Sequence, residues 1–287
     1  MRGPAIKLVS FSILAALLWN GCTEQRLQLP SSTPAVSVQA KIAVRYAELT
    51  ARGTPEQICE EFSRDELIRH AEYLFEHAVS HGNLWLYSDT PFDSAKGRQI
   101  LQEAERRLSA SPLYDATVSH RGFICNTAWR SEYFLQGKNK YGGLNYFDIA
   151  PHVFFAKSLV EDDAMLSPQN RPIAPPRTLT YYVVHEFTHS MVSQAVKEKG
   201  WSPPPKWLSE GYPDFVALGP GFSYESALSN YRNRDPRVHR TMAEEYLQYD
   251  LLAAYYLERE GRSVDDLFAN PPTLAKALSQ SLPEDLK

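Results

Sequence analysis

The sequence predicts an α+β fold: a small mixed-sheet lobe, then a mainly helical lobe, with one long helix between them. Two observations carry this. Before about residue 172, short strand-like runs alternate with stretches of helical spacing. After the Pro-rich RPIAPPR at 171–177, apolar residues recur almost only at three- and four-residue steps. With 287 residues, 43% of them hydrophobic, the chain can bury a sizeable core.

Residues 1–22 read as a signal peptide. Arg2 and Lys7 give a positive start, and Leu8–Trp19 is apolar apart from Ser10 and Ser12. The run is shorter than the roughly 20 apolar residues of a spanning helix. Gly21-Cys22 follows at once and resembles the lipobox of bacterial lipoproteins, although Trp19 and Asn20 are unusual there. That resemblance implies lipid attachment at Cys22 and a tether to a bacterial membrane, facing the periplasm. An uncleaved anchor and a secreted protein are the alternatives; all three place the working part in the cell envelope or beyond.

Residues 23–54 form a tether, rich in Pro and Ser to about residue 38, and the start of the domain. Residues 55–172 are an α/β subdomain. Leu67, Ile68, Ala71, Leu74, Phe75 and Ala78 predict a helix over Pro55–His81, and Leu84–Tyr87 a strand. Ile100, Leu101, Ala104 and Leu108 mark a second helix from Ala95 to Leu108. Phe123-Ile124 and Tyr133-Phe134-Leu135 predict short strands or packing segments around a polar loop, and His152–Ala156 a stronger strand. Residues 173–287 are a helical subdomain. It has a helix from Thr178 to about Val196, another from near Leu208 after SPPPKW, and a last one over Met242–Glu260, stopped by Gly261.

Charge excludes one class of partner. The net charge of −4 and the lack of any basic run leave no footprint for nucleic acid. Cys59 and Cys125 either pair as one disulfide in an oxidising compartment or are small core residues. Both readings stand at this point.

The chemistry is concentrated in His185-Glu186-Phe187-Thr188-His189. Histidines four apart share a helical face and can bind one ion, and Glu186 can reach a water on that ion. A catalytic zinc site takes three protein ligands and leaves one position open. Glu210, in Trp207-Leu208-Ser209-Glu210-Gly211, lies 21 positions beyond His189, room to end one helix, turn and begin an antiparallel one.

HExxH followed by WLSEG resembles the gluzincins, the peptidase MA clan, over residues 178 to about 262. The combination is also similar to exported bacterial HExxH proteins of no defined substrate. The resemblance implies a zincin-like fold and one Zn²⁺ held by His185, His189 and Glu210. It makes Glu186 the general base and Asp214 the residue that orients the first histidine. Pro213 is compatible with that role if it lies in the helix's first turn. The proton donor or oxyanion stabiliser falls first on Tyr246, then on Tyr249, with His239 as a further alternative. An edge strand that aligns substrate falls on His152–Lys157. The implied activity is hydrolysis of peptide bonds in peptides or proteins. No GxMEN-like amine clamp is present, which disfavours an aminopeptidase. A zinc-containing envelope lipoprotein without catalysis, acting as a binding or assembly factor, is the other reading the residues leave open.

Overall fold

In a computed structural model of the chain, the described residues are 37–138, 142–233 and 243–284. Residues 1–22, expected to be a signal peptide ending at Cys22, and His239 lie outside them. Residues from Ser37 onward form one compact unit. It is α+β, opening with helix α1 (Val38–Ala51) and the short helices α2 (Ile58–Glu61) and α3 (Arg64–Arg69).

The single helix expected over 55–81 is instead broken. Phe62 is extended, and Ser63 restarts the chain with a capping box: its hydroxyl accepts from Glu66 N–H while the Glu66 carboxylate accepts from Ser63 N–H. The apolar spacing then passes into strand β1 (His77–His81). Strand β2 (Leu84–Ser88) follows where expected, then α4 (Ser94–Leu108) and β3 (His120–Ile124).

Tyr133-Phe134-Leu135 is not a strand but the end of α5 (Ala128–Leu135). Three adjacent apolar residues carry no period, so only their surroundings decide. Here the Asp89 carboxylate accepts from the N–H groups of Asn126 and Thr127, anchoring a helix start. Phe134 then stacks on Phe154 at 4.3 Å between ring centroids.

Strands β4 (Gly143–Asn145) and β5 (His152–Phe155) complete a five-stranded sheet in the order β1-β2-β3-β5-β4. β2, β3 and β5 run parallel; β1 and β4 are antiparallel to their neighbours. His152–Lys157 is therefore not the edge: β5 is interior, and three-residue β4 is the rim. A small hairpin, β6 (Ser158–Leu159) and β7 (Ala164–Met165), leads into the helical part.

Among the described residues all later elements are helical: α6 (Leu179–Lys199), α7 (Lys206–Leu218), α8 (Tyr224–Asn233), α9 (Ala243–Ala254), α10 (Val264–Ala269) and α11 (Leu274–Ser281). α6 is buried on nearly every side from Leu179 to Thr188, as a central helix must be. Asp163 fixes its start by accepting from Thr180 N–H at 2.7 Å, and Gly200 ends it at φ +66. The last predicted helix runs on to Arg259, with Gly261 just beyond it at φ +66, but its final stretch, Tyr255–Arg259, is π-helical. Cys59 and Cys125 are both free thiols, Cys125 fully buried in the core. No described helix is long and apolar enough to cross a membrane.

Candidate metal centre

One turn of α6 presents His185 and His189 on the same face, with their Nε2 atoms 3.1 Å apart. α7 packs against this face and brings Glu210, whose Oε2 lies 3.8 Å from His185 Nε2 and 3.7 Å from His189 Nε2. The three predicted ligands thus converge, with one donor atom each within 4.8 Å of the others. A tetrahedral ion with bonds of about 2.0–2.1 Å sets its ligands about 3.3–3.4 Å apart, so these spacings suit a metal with little movement. Two imidazoles and a carboxylate are a donor set suited to zinc and its neighbours.

Electrostatics are shaped by burial. Burial acts to raise the Glu210 carboxyl, but the contact with His189 and the two imidazoles outweighs it and holds the group below the usual carboxylate range. Burial also opposes charge on His185, yet Asp214 prevails and raises the imidazole. Asp214 Oδ1 sits 2.6 Å from His185 Nδ1 and is fully buried. It fixes the ring so that Nε2 faces the ligand cluster.

Pro213 is not in the first turn of α7, as compatibility seemed to require, but well inside it. Its ring removes one backbone donor, and the helix nevertheless continues to Leu218, so Asp214 stays one turn beyond Glu210 on the same face.

Glu186 is 8% exposed, and burial pushes its carboxyl upward against the pull of His189 and His185. Its neighbour is the sheet's rim: a Cβ on Gly143 would stand 2.8 Å from the Glu186 side chain. Asn145 ties the same strand to α6, donating to Glu186 O at 3.0 Å and to Ser190 Oγ at 2.7 Å. The edge strand beside the candidate base is therefore β4.

The Tyr246 hydroxyl reaches Glu210 Oε2 at 3.3 Å from α9. Burial and the Glu210 charge raise its pKa, which keeps the hydroxyl protonated as a donor. Tyr249 instead points to Glu245 and Lys206, away from the cluster. Sequence reading missed Tyr181, whose hydroxyl donates to Asp214, and Arg177, whose guanidinium lies over the rings of Tyr181 and Tyr246. Tyr181 precedes His185 by four positions, so the helical spacing already placed it on that face.

Gly211 explains why small size follows Glu210. A Cβ there would press into the backbone carbonyl of Tyr249, so the glycine lets α9 close on α7 and deliver Tyr246. Gly211→Ala is expected to destabilise the protein by about 1–3 kcal/mol in urea unfolding, since neither backbone can yield cheaply. An unchanged midpoint would show that α9 is not held at this contact.

No family model matches the chain, and neither does any curated protein or any solved structure.

Proposed function

We propose that the chain is a zinc-dependent metallopeptidase of gluzincin-like, zincin-type fold, hydrolysing peptide bonds in peptide or protein substrates. The convergence of His185, His189 and Glu210 beside the buried carboxyl of Glu186 carries this reading. The export features of residues 1–22 support a location in the cell envelope, with lipid at Cys22 as the tether.

His185 and His189 from α6 and Glu210 from α7 would hold the ion. A zinc bound there supplies Lewis acidity and lowers the pKa of a water toward about 7. Glu186 takes the proton of the attacking water and passes it to the leaving amine; its burial raises its basicity toward that task. The Tyr246 hydroxyl, held protonated beside Glu210, donates to the oxyanion of the tetrahedral intermediate. Asp214 keeps His185 in the tautomer with its Nε2 lone pair toward the ligand cluster. β4, the edge strand on this side of the sheet among the described residues and in contact with Glu186, offers backbone groups to an extended substrate.

The test is metal content by mass spectrometry together with cleavage of a mixed peptide library. One equivalent of zinc is expected, with cleavage that a chelator abolishes and zinc restores. Protein without metal would remove the reading; metal-loaded protein that cleaves nothing would leave a zinc-binding envelope factor.

A further inference from the structure

A cavity of about 300 Å³ lies against the C-terminal half of α6, between that helix, the starts of β3 and β5, and the turn after β4. That volume is at the small end for ligand pockets and suits a single side chain. His120 forms part of the wall. It is 1% exposed, its ring stacks on Phe187, and neither ring nitrogen has a hydrogen-bond partner among the described residues. Buried polar groups left unpaired are few in folded proteins, and each has a reason. The charged groups of the cavity are already engaged: Lys197 Nζ lies 3.3 Å from Asp148 Oδ1, and Glu198 Oε1 accepts from Gln194 at 2.8 Å. Burial brings the His120 imidazole down to about 4, so it is neutral. Phe147, an exposed ring, and Pro151 supply apolar wall. The cavity is also in line with the candidate base. Glu186, Ser190, Ser193 and Lys197 recur at three- and four-residue steps, one stripe of α6. β4 flanks the start of that stripe at Gly143 and is tied to it by Asn145, which donates to Ser190 Oγ at 2.7 Å. From Glu186 to Gln194 the helix rises about 12 Å, which an extended peptide covers in roughly three to four residues.

We propose that this cavity holds a tyrosine side chain of a peptide laid along β4, its ring against Phe147 and Pro151 and its hydroxyl on the His120 imidazole. The tyrosine stands roughly three to four residues from the bond beside Glu186. A phenol suits either tautomer of the histidine: its O–H donates to a bare nitrogen, or its oxygen accepts from an N–H. A phenylalanine in its place leaves the imidazole unpaired. A glutamate brings in a charge whose only possible counter-charge, on Lys197, is shared with Asp148. The inference rests on the reading of the Glu186 site as one that takes peptides.

The experiment uses the Glu186→Gln protein with zinc added, so that peptides bind without being cut. Its probes are short blocked peptides of glycine, alanine and serine carrying one Tyr, Phe or Glu at the same place. Affinity is read by fluorescence anisotropy, and the His120 ring by ¹⁵N NMR of labelled histidine. The Tyr peptide is expected to bind about three- to tenfold more tightly than the Phe peptide, the worth of one buried hydrogen bond. Over the Glu peptide the margin should be at least about tenfold, the cost of one buried charge. The His120 ring nitrogens should shift on saturation with the Tyr peptide and stay in place with the Phe peptide. Ser193→Trp, at a half-buried position of the cavity wall, should fill the space and remove the Tyr preference while zinc affinity stays within about twofold. His120→Phe should erase the same preference; if that variant does not fold, the ring shift and Ser193→Trp decide. The proposal is overturned if no peptide binds, if Tyr and Phe peptides bind alike, if the His120 ring does not move, or if the preference survives Ser193→Trp. Tyr-selective binding through His120 by a protein that holds no zinc takes away the metal reading and leaves this inference. Chelator-sensitive cleavage by the parent with no Tyr preference in binding takes away the inference alone.

Discussion

Glu186→Gln is expected to bind zinc as the parent does and to lose about 10²–10⁴-fold in kcat/KM, the span that general acid–base groups contribute. The substitution is nearly isosteric, which matters at a side chain 8% exposed and packed against Gly143. It leaves His185, His189 and Glu210 untouched, so the ligand cluster and its spacing survive. What disappears is the carboxylate that takes the proton, because an amide cannot accept and return one at neutral pH. Metal content by mass spectrometry and steady-state cleavage of a peptide found in the library screen measure the two halves separately. Cleavage at the parental rate by the Gln variant would strike out Glu186 as the base. Loss of metal along with activity would show instead that Glu186 supports the cluster.

The site was legible because its residues obey helical arithmetic. His185 and His189 are one turn apart, and so are Glu210 and Asp214; spacing alone sets each pair on one face. Loop length made antiparallel packing of the two helices plausible. The partners of those pairs were harder to read. Tyr246 lies 36 positions beyond Glu210 on α9, and nothing local says which face of that helix meets the carboxylate. That is decided by the glycine contact between α7 and α9, a tertiary fact. The rim strand was missed for a related reason. Gly143-Leu144-Asn145 has no alternation long enough to read, and it becomes a strand only by pairing with β5. α5 was misread because its three terminal apolar residues suit either state, while the Asp89 anchor that decides lies far away in sequence. Errors of this kind shift an element without moving the chemistry. The residues of the candidate ligand cluster were fixed by periodicity, and those that position them by packing.

Acid is expected to unfold this protein through two histidines outside the candidate metal centre. His120, on β3, is 1% exposed and stacks on Phe187 of α6; burial pulls its pKa down from 6.5 to about 4. His152, on β5, is 4% exposed and also falls to about 4, again chiefly from burial, although its Nδ1 donates to Ile68 O at 2.7 Å. A histidine whose folded pKa lies below its unfolded value binds fewer protons when folded, so stability rises with pH between the two values. The full contribution is present above about 6.5 and is lost progressively as pH falls toward 4. Between pH 7.5 and 5 each group should remove about 2 kcal/mol, and the pair about 4 kcal/mol, a large share of the stability of an ordinary domain. Urea unfolding at the two pH values, for the parent, His120→Asn and His152→Asn, isolates each term, because all other titrating groups are common to the set. Each variant should lose about half of the pair's pH effect, whatever it does to stability at pH 7.5. A variant whose stability falls with acid as steeply as the parent's would mean that the substituted imidazole is already protonated, or solvated, in the folded protein.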